Sequence, residues 1–319
     1  MAGYLLRRLL QAVLVVLGVI LITFVFSQVI PGGEARAVLG QRATPHLISQ
    51  FNRENGLTKP ILEQFWRYLV RLPQLRLGYS YKYTQPVWAI IQERLPKTLV
   101  LVGTSLLLAL LVAIPLGIFQ VVRRHTPSDY AVTGLAFVLY ASPTFFIGTL
   151  FIVWFAFDLH LLPVAPPSSG SAWAVFTDPA AFVMPVLTLS ATTIAAFSRY
   201  MRSSLLDAMA EDYIRTAKAK GASNGRALYA HALRNALIPI ITLVGLSLPA
   251  IVSGAVVVES VFNYPGMGLL VVEAAENTDI PLVLGTTLVA TVATVMGSLL
   301  ADLLYVAVDP RIRYTGLAA

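Results

Sequence analysis

The chain has 319 residues, 57% of them apolar and 12% charged, with a formal charge of +7 and a mean hydropathy of +0.74. A soluble domain carries about 25% charged residues, so a water-soluble globular protein is excluded and a membrane protein is expected. Cysteine is absent, which rules out disulfides and thiolate metal sites, and His46, His125, His160 and His231 show no metal-type spacing. In a soluble chain the positive charge would point to nucleic acid. Here the retention of Lys and Arg on the cytoplasmic side of a bilayer accounts for it.

In chain order, six apolar runs are long enough to cross a hydrocarbon layer: about 9–30, 98–122, 131–157, 181–198, 237–258 and 281–301. Within these bounds none contains Asp, Glu, Lys or Arg. The first run follows Arg7 and Arg8 and is 22 residues long, too long for a signal-peptide core and with no small-x-small cleavage pattern behind it. It is expected to be an uncleaved anchor.

The loops set the orientation. With the N-terminus cytoplasmic, Arg7/Arg8, Arg123/Arg124, the loop 199–236 and Arg311/Arg313 all lie inside, while the short outer loops 158–180 and 259–282 contain no Lys or Arg. The outer loop 31–97 carries ten basic residues but is long enough for the charge rule to lose force. Its stretch 59–72, "KPILEQFWRYLVRL", predicts a helix with Ile61, Leu62, Phe65, Trp66 and Leu69 on one face and Pro60 at its first turn. That stretch is expected to cap the outer surface, the alternative being a helix that lies flat in the interface and touches nothing.

Ion-coupled carriers keep ionisable groups inside the membrane to bind the coupling ion, and these spans hold Ser, Thr, Gly and Pro instead. Small residues allow close helix packing, and prolines kink the spans. A P-loop pattern is absent too, so ATP hydrolysis would have to come from another subunit that grips this one from the cytoplasm. A Ser/His, Asp/Asp or HExxH arrangement is not found in any span, which argues against an intramembrane enzyme. A passive channel or facilitator is the alternative, and charge-free spans would serve it equally.

The cytoplasmic loop 199–236 predicts two helices with a break. Leu205, Met209, Tyr213 and Ala217 recur every four residues, Gly221 ends the first helix, and Ser223 or Asn224 caps a second that runs into the fifth span. "EDYIRTAKAKG" (211–221) followed by "HALRNALIP" (231–239) resembles the conserved cytoplasmic loop of binding-protein-dependent ABC importer permeases, dipeptide/oligopeptide/nickel subfamily. The general pattern EAA-xxx-G falls on Arg215, Thr216, Ala217 and Gly221, so its acid and first alanine are replaced, and the spacing to Pro239 is longer. Both departures are normal for the peptide subfamily. "IPGG" (30–33), "LGYS" (77–80), "ERLPKTL" (93–99), "LLPV" (161–164), "VVVESVFNYPGMG" (256–268) and "DLLYVAVDPRIR" (302–313) extend the resemblance, in order, over nearly the whole chain.

The resemblance implies an all-α polytopic protein of six transmembrane helices, the type I ABC importer permease fold, with both termini cytoplasmic, in the bacterial cytoplasmic (inner) membrane. It implies an anchor and outer-loop segment at 1–97, a permease domain at 98–308 and a short cytoplasmic tail at 309–319. The implied partners are a second homologous permease, two ABC ATPase domains and an extracytoplasmic substrate-binding protein. No cofactor would bind this chain, ATP and Mg being held by the ATPases. Asp212, Tyr213, Arg215, Thr216, Ala217, Gly221 and Ala222 would form the ATPase-coupling loop. Trp66, Tyr68 and Tyr79 would take part in docking the binding protein, and Phe262, Pro265, Gly266 and Gly268 in an outer gate, where the plain alternative is an ordinary Gly/Pro turn. Relatives carry dipeptides, longer peptides, haem, nickel chelates and opines; peptides are the expected cargo.

Overall fold

The computed structural model describes residues 2–29, 33–40, 42–165 and 179–308. Ile30 to Gly32 of the "IPGG" motif, much of the loop 158–180, and the tail 309–319 with Arg311 and Arg313 lie outside the described residues. The chain divides into two compact units: Met1–Thr98 with Pro265–Val295, and Leu99–Tyr264 with Met296–Ala319.

In the first unit, α1 (Ala2–Gln28) is followed by α2 (Gly33–Leu39), α3 (Pro45–Glu54) and α4 (Ile61–Arg71). Thr44 starts α3 by accepting a hydrogen bond from the Leu47 amide, with Pro45 in the first turn, where its missing N–H costs nothing. Glu63 holds Arg67 one turn further along α4 and Lys59 just before the helix. The face of α4 that packs is narrower than its periodicity suggests. Phe65 and Tyr68 lie against Phe24 of α1, with ring centroids 5.3 and 6.4 Å apart, whereas Leu62 and Trp66 are 82% and 66% exposed.

A two-stranded antiparallel hairpin follows, β1 (Tyr79–Ser80) and β2 (Gln85–Pro86), in the register Tyr79–Pro86 and Ser80–Gln85. Leu77, Val87, Ile90 and Ile91, the last two near the start of α5 (Val87–Val122), form a core with Leu270 and Ala274 of α12 (Met267–Glu276) and Leu282 of α13 (Ile280–Val308). Gly285 lets α13 approach closely: a Cβ there would fall 2.5 Å from Val87 Cγ1.

The second unit holds the rest of α5 together with α6 (Pro127–Ala141), α7 (Thr144–Phe151) and its π-helical continuation Ile152–Asp158. It also holds α8 (Pro179–Ala210), α9 (Asp212–Ala219), a helical turn α10 (Asn224–Arg226), the π-helical stretch Ala227–Ala232, and α11 (Leu233–Val261). Met201 packs against Gly117 so tightly that a Cβ on the glycine would fall 2.6 Å from Met201 Cβ.

Among the described residues, five helices are long and apolar enough to cross a bilayer, and six if the pair Pro127–Ala141 and Thr144–Asp158 counts as one span. That pair is bent by 107°. The cause lies at Ser142–Pro143: a proline supplies no N–H to the helix and forces the preceding residue out of the helical region, and Ser142 sits at φ −77°, ψ 134°. The apolar run 131–157 is thus two helices joined at a sharp bend and not one straight helix.

Several hydroxyls in the spans bond to their own helices. Thr104, Ser105, Thr188, Ser190 and Thr286 each donate to a carbonyl four residues back, a packing arrangement that needs no external partner. The helices outrun their apolar runs, however, and bring ionisable groups with them. Asp129 in the first turn of α6 and Glu259 near the end of α11 are both essentially unexposed. Expecting no charge in the spans therefore holds for the apolar runs but not for the whole helices.

Candidate functional site

The charged segment between α8 and α11 is a small knob carried by the second unit. It is not one helix with a stripe at four-residue spacing. Helix α8 ends at Ala210, and Glu211 is extended (φ −68°, ψ 150°), so Leu205 and Tyr213 lie on separate helices. Leu205 is buried at 0% exposure, whereas Tyr213 is 38% exposed. The residue of α9 that packs is Ile214, at 1% exposure. It joins Met201, Leu205, Ala227, Leu228, Ala232, Ala236 and Ile240 in one core. Burying such a side chain fully contributes about 1.5–3 kcal/mol, and here that contribution fastens a one-residue anchor to α8 and α11.

The rest of α9 faces outward. Asp212, Arg215, Thr216, Lys218 and Lys220 are exposed, and Ala217 and Ala222 are half-buried. Arg215 pairs with Asp212 at 3.1 Å, but both side chains are so exposed that the pair adds little stability. Thr216 donates its hydroxyl to the Asp212 carbonyl at 3.0 Å.

The end of α9 is a Schellman cap. The Gly221 amide donates to the Lys218 carbonyl at 2.9 Å and the Ala222 amide to the Ala217 carbonyl at 3.0 Å. Gly221 has φ +89°, where a side chain is strained, although a Cβ there would meet nothing within 4 Å. Ser223 then starts the next turn by accepting from the Arg226 amide at 3.3 Å, and the chain runs through the π-helical stretch into α11. Of the seven residues expected in this loop, Ala217, Gly221 and Ala222 build the cap, while Asp212, Tyr213, Arg215 and Thr216 present the outer surface. Ile214 was missed by the sequence pattern, its one signal being an aliphatic residue alone among charged and small neighbours.

In the first unit, Trp66 is exposed and Tyr79 is 53% exposed, its hydroxyl donating to the Thr84 carbonyl. Tyr68 instead packs inward on Phe24; burial holds its phenol well above the ordinary range, and its hydroxyl has no hydrogen-bond partner among the described residues. Nearby chemistry is polar and hydrogen-bonded. Asp279 accepts from the Ser80 hydroxyl at 2.5 Å, the Lys82 amide at 3.1 Å and the Leu282 amide at 3.3 Å. The Tyr81 hydroxyl donates to Glu34 at 2.6 Å, and Tyr83 to Glu273 at 2.5 Å. Burial raises the Glu34 carboxyl above the usual carboxylate range against the opposing pull of the Tyr81 hydrogen bond. Burial, then the Glu273 contact, pushes the Tyr83 phenol up to about 12.

The residues expected at an outer gate fall into both units. Phe262 packs in the second unit with Met184 and Val258, and Tyr264 meets Phe182 edge-on at 5.6 Å. Pro265, Gly266 and Gly268 are buried in the first, where the Met267 amide that opens α12 donates to Thr98 Oγ1 at 2.7 Å. All four expected residues are packed in.

Known proteins resemble the chain along nearly its whole length. Residues 113–314 match the family described as binding-protein-dependent transport system inner membrane component, and residues 1–102 match its N-terminal companion family. The oligopeptide transport system permease protein AppB of Bacillus subtilis (strain 168) is 35% identical, covering 98% of this chain and 100% of its own length. The glutathione transport system permease protein GsiC of Salmonella typhimurium is also 35% identical, over 98% and 100%. The dipeptide transport system permease protein DppB of Escherichia coli (strain K12) is 33% identical, over 98% and 99%.

Proposed function

The chain belongs to the family of inner-membrane components of binding-protein-dependent transport systems, and on that premise we propose that it forms half of an ATP-driven pathway for di- or oligopeptides. It is a membrane-embedded permease subunit and not an enzyme. The peptide cargo follows from relatives named for oligopeptide, dipeptide and glutathione transport that align over the full chain. In this reading both termini are cytoplasmic, a second homologous permease completes the pathway, an external binding protein delivers cargo, and two ABC ATPase domains, holding ATP and Mg, sit beneath. Residues 1–97 act as anchor and outer cap, and 98–308 as the permease domain. Trp66 and Tyr79, with Tyr68 behind them, contribute to binding-protein docking, and Phe262, Pro265, Gly266 and Gly268 brace the outer gate.

The observation that carries the coupling role is Ile214. A helix with every other residue turned outward or half-buried is tied through this one side chain into the core of α8 and α11. A push on the knob from an ATPase cleft is thereby delivered to two membrane helices. Reconstituting the chain with its partner permease, ATPases and binding protein tests the cargo. ATP-dependent accumulation of a labelled dipeptide or longer peptide is expected. ATP-driven uptake of a different solute captured by the binding protein, with no peptide uptake, would overturn it.

A further inference from the structure

A cleft of about 440 Å³ in the second unit lies away from the knob's outer surface, lined in part by Gln120 of α5, Phe137 and Tyr140 of α6, and Arg199, Tyr200 and Arg202 of α8. Two cations line it. Arg202 is paired with the buried Asp129 at 2.9 Å, while the Arg199 guanidinium stacks over Phe137 and Tyr140, 4.3 and 5.1 Å from their ring centroids. With one carboxylate against two guanidinium groups, the cleft is left with an excess positive charge.

Two buried polar atoms here have no hydrogen-bond partner among the described residues: the Arg202 Nε donor and the Gln120 Oε1 acceptor. Gln120 is wholly buried, and its amide nitrogen is already used on Thr133 at 3.0 Å. Buried donors and acceptors are nearly always paired, so the cleft asks for a group that both accepts and donates. Its depth is set by the helices around it. Gln120 is near the end of α5, Thr133 is early in α6, and Arg199 is the first charged residue of α8 after twenty uncharged ones, 179–198. The uncharged stretches end here in sequence, with Arg123 just beyond α5 and Arg199 within α8. Phe137, Tyr140 and Tyr200 are 51%, 58% and 53% exposed beside it, and aromatic rings of this kind pack well along lipid.

We propose that this cleft binds the phosphodiester headgroup of an anionic, hydroxyl-bearing phospholipid such as phosphatidylglycerol. The phosphate oxygens accept from Arg199 and Arg202 Nε, a headgroup hydroxyl donates to Gln120 Oε1, and the aromatic rim lies along the glycerol and upper acyl chain. Phosphatidylcholine offers the phosphate but no donor and no net charge.

The test is native mass spectrometry of the detergent-purified full-length chain, its partner subunits retained, with added phosphatidylglycerol, phosphatidylcholine or inorganic phosphate. One phosphatidylglycerol per chain is expected to be retained over phosphatidylcholine. Arg199→Gln should weaken that retention about tenfold, the size of one charge-assisted hydrogen bond, and Arg199→Lys should restore part of it. Both variants are compared at matched thermal stability, so loss of fold is separated from loss of lipid. Equal retention of both lipids, an unchanged Arg199→Gln, or binding of inorganic phosphate without lipid would each overturn the proposal. Displacement of the lipid by a dipeptide would overturn it too, by assigning the cleft to cargo.

Discussion

Arg202 and Asp129 are 73 residues apart in the chain and 2.9 Å apart in the fold, joining α8 to the first turn of α6. Asp129 is 1% exposed and also accepts from the His125 amide at 3.1 Å and the Thr133 hydroxyl at 3.4 Å. Its carboxylate therefore gathers the Arg123–His125 turn, α6 and α8 at one point.

Removing one partner of a buried pair leaves the other uncompensated, at a cost of about 3–5 kcal/mol. Because the Arg202 side chain is 28% exposed, Asp129→Ala is expected at the low end, about 3 kcal/mol. Thermal unfolding of the purified variant in detergent measures it. The double variant Asp129→Ala/Arg202→Met should recover part of the loss, whereas full additivity would show the two residues to be independent.

Ile214→Ala removes the anchor of α9. Truncating a buried aliphatic side chain costs about 2–5 kcal/mol, yet most of the membrane core is untouched, so the chain should still insert. ATP hydrolysis by the assembled transporter should then lose its stimulation by loaded binding protein, while basal hydrolysis remains. Wild-type stimulation in this variant would remove Ile214 from the coupling path.

Gly221→Val meets no steric obstacle, since nothing lies within 4 Å of the added Cβ. The damage comes from the left-handed backbone at φ +89°, where a β-branched residue is strained by about 1–3 kcal/mol. The Schellman cap should open and α9 fray, uncoupling transport from hydrolysis without affecting insertion. Gly221→Asn, a residue that tolerates this conformation better, should retain more uptake than Gly221→Val. Equal uptake in the two would exclude backbone conformation as the cause.

Glu34 supplies the pH prediction. Its carboxyl is raised in the folded protein, mainly by burial, so folding favours the protonated form. That contribution is fully present below the ordinary value of 4.5 and is lost as pH rises through the folded value. Stability of the first unit should thus decline as pH climbs from 4.5, and Glu34→Gln should flatten the decline. Hydrogen exchange at α2 and the 79–86 hairpin as a function of pH would report it; an identical slope in the variant would contradict it.

Much of this architecture is written in the sequence, because a bilayer demands long apolar helices and those runs are visible. Gly221 as the end of α9 was legible because caps need particular residue types, and of the two candidates Ser223 and Asn224 the structure uses Ser223 for the next turn. Other features were hidden. The break at Ser142–Pro143 is concealed by apolar residues on both sides, although the proline is its cause. The four-residue spacing of Leu205, Met209, Tyr213 and Ala217 continues across Glu211, where the backbone turns, so periodicity alone chose Tyr213 over Ile214. Periodicity likewise placed Leu62 and Trp66 on one face with Phe65 without showing that Phe65 and Tyr68 are the residues that pack on Phe24. The Asp129–Arg202 pair has no local signal, because its partners meet only in three dimensions.

The most direct test is cross-linking from Thr216→Cys, an exposed position on α9 in a chain with no other cysteine. With a short bifunctional thiol reagent in membranes containing the assembled transporter, an adduct between this permease and an ATPase subunit is predicted. The contrary result is no such adduct, together with labelling of the same thiol from outside intact cells.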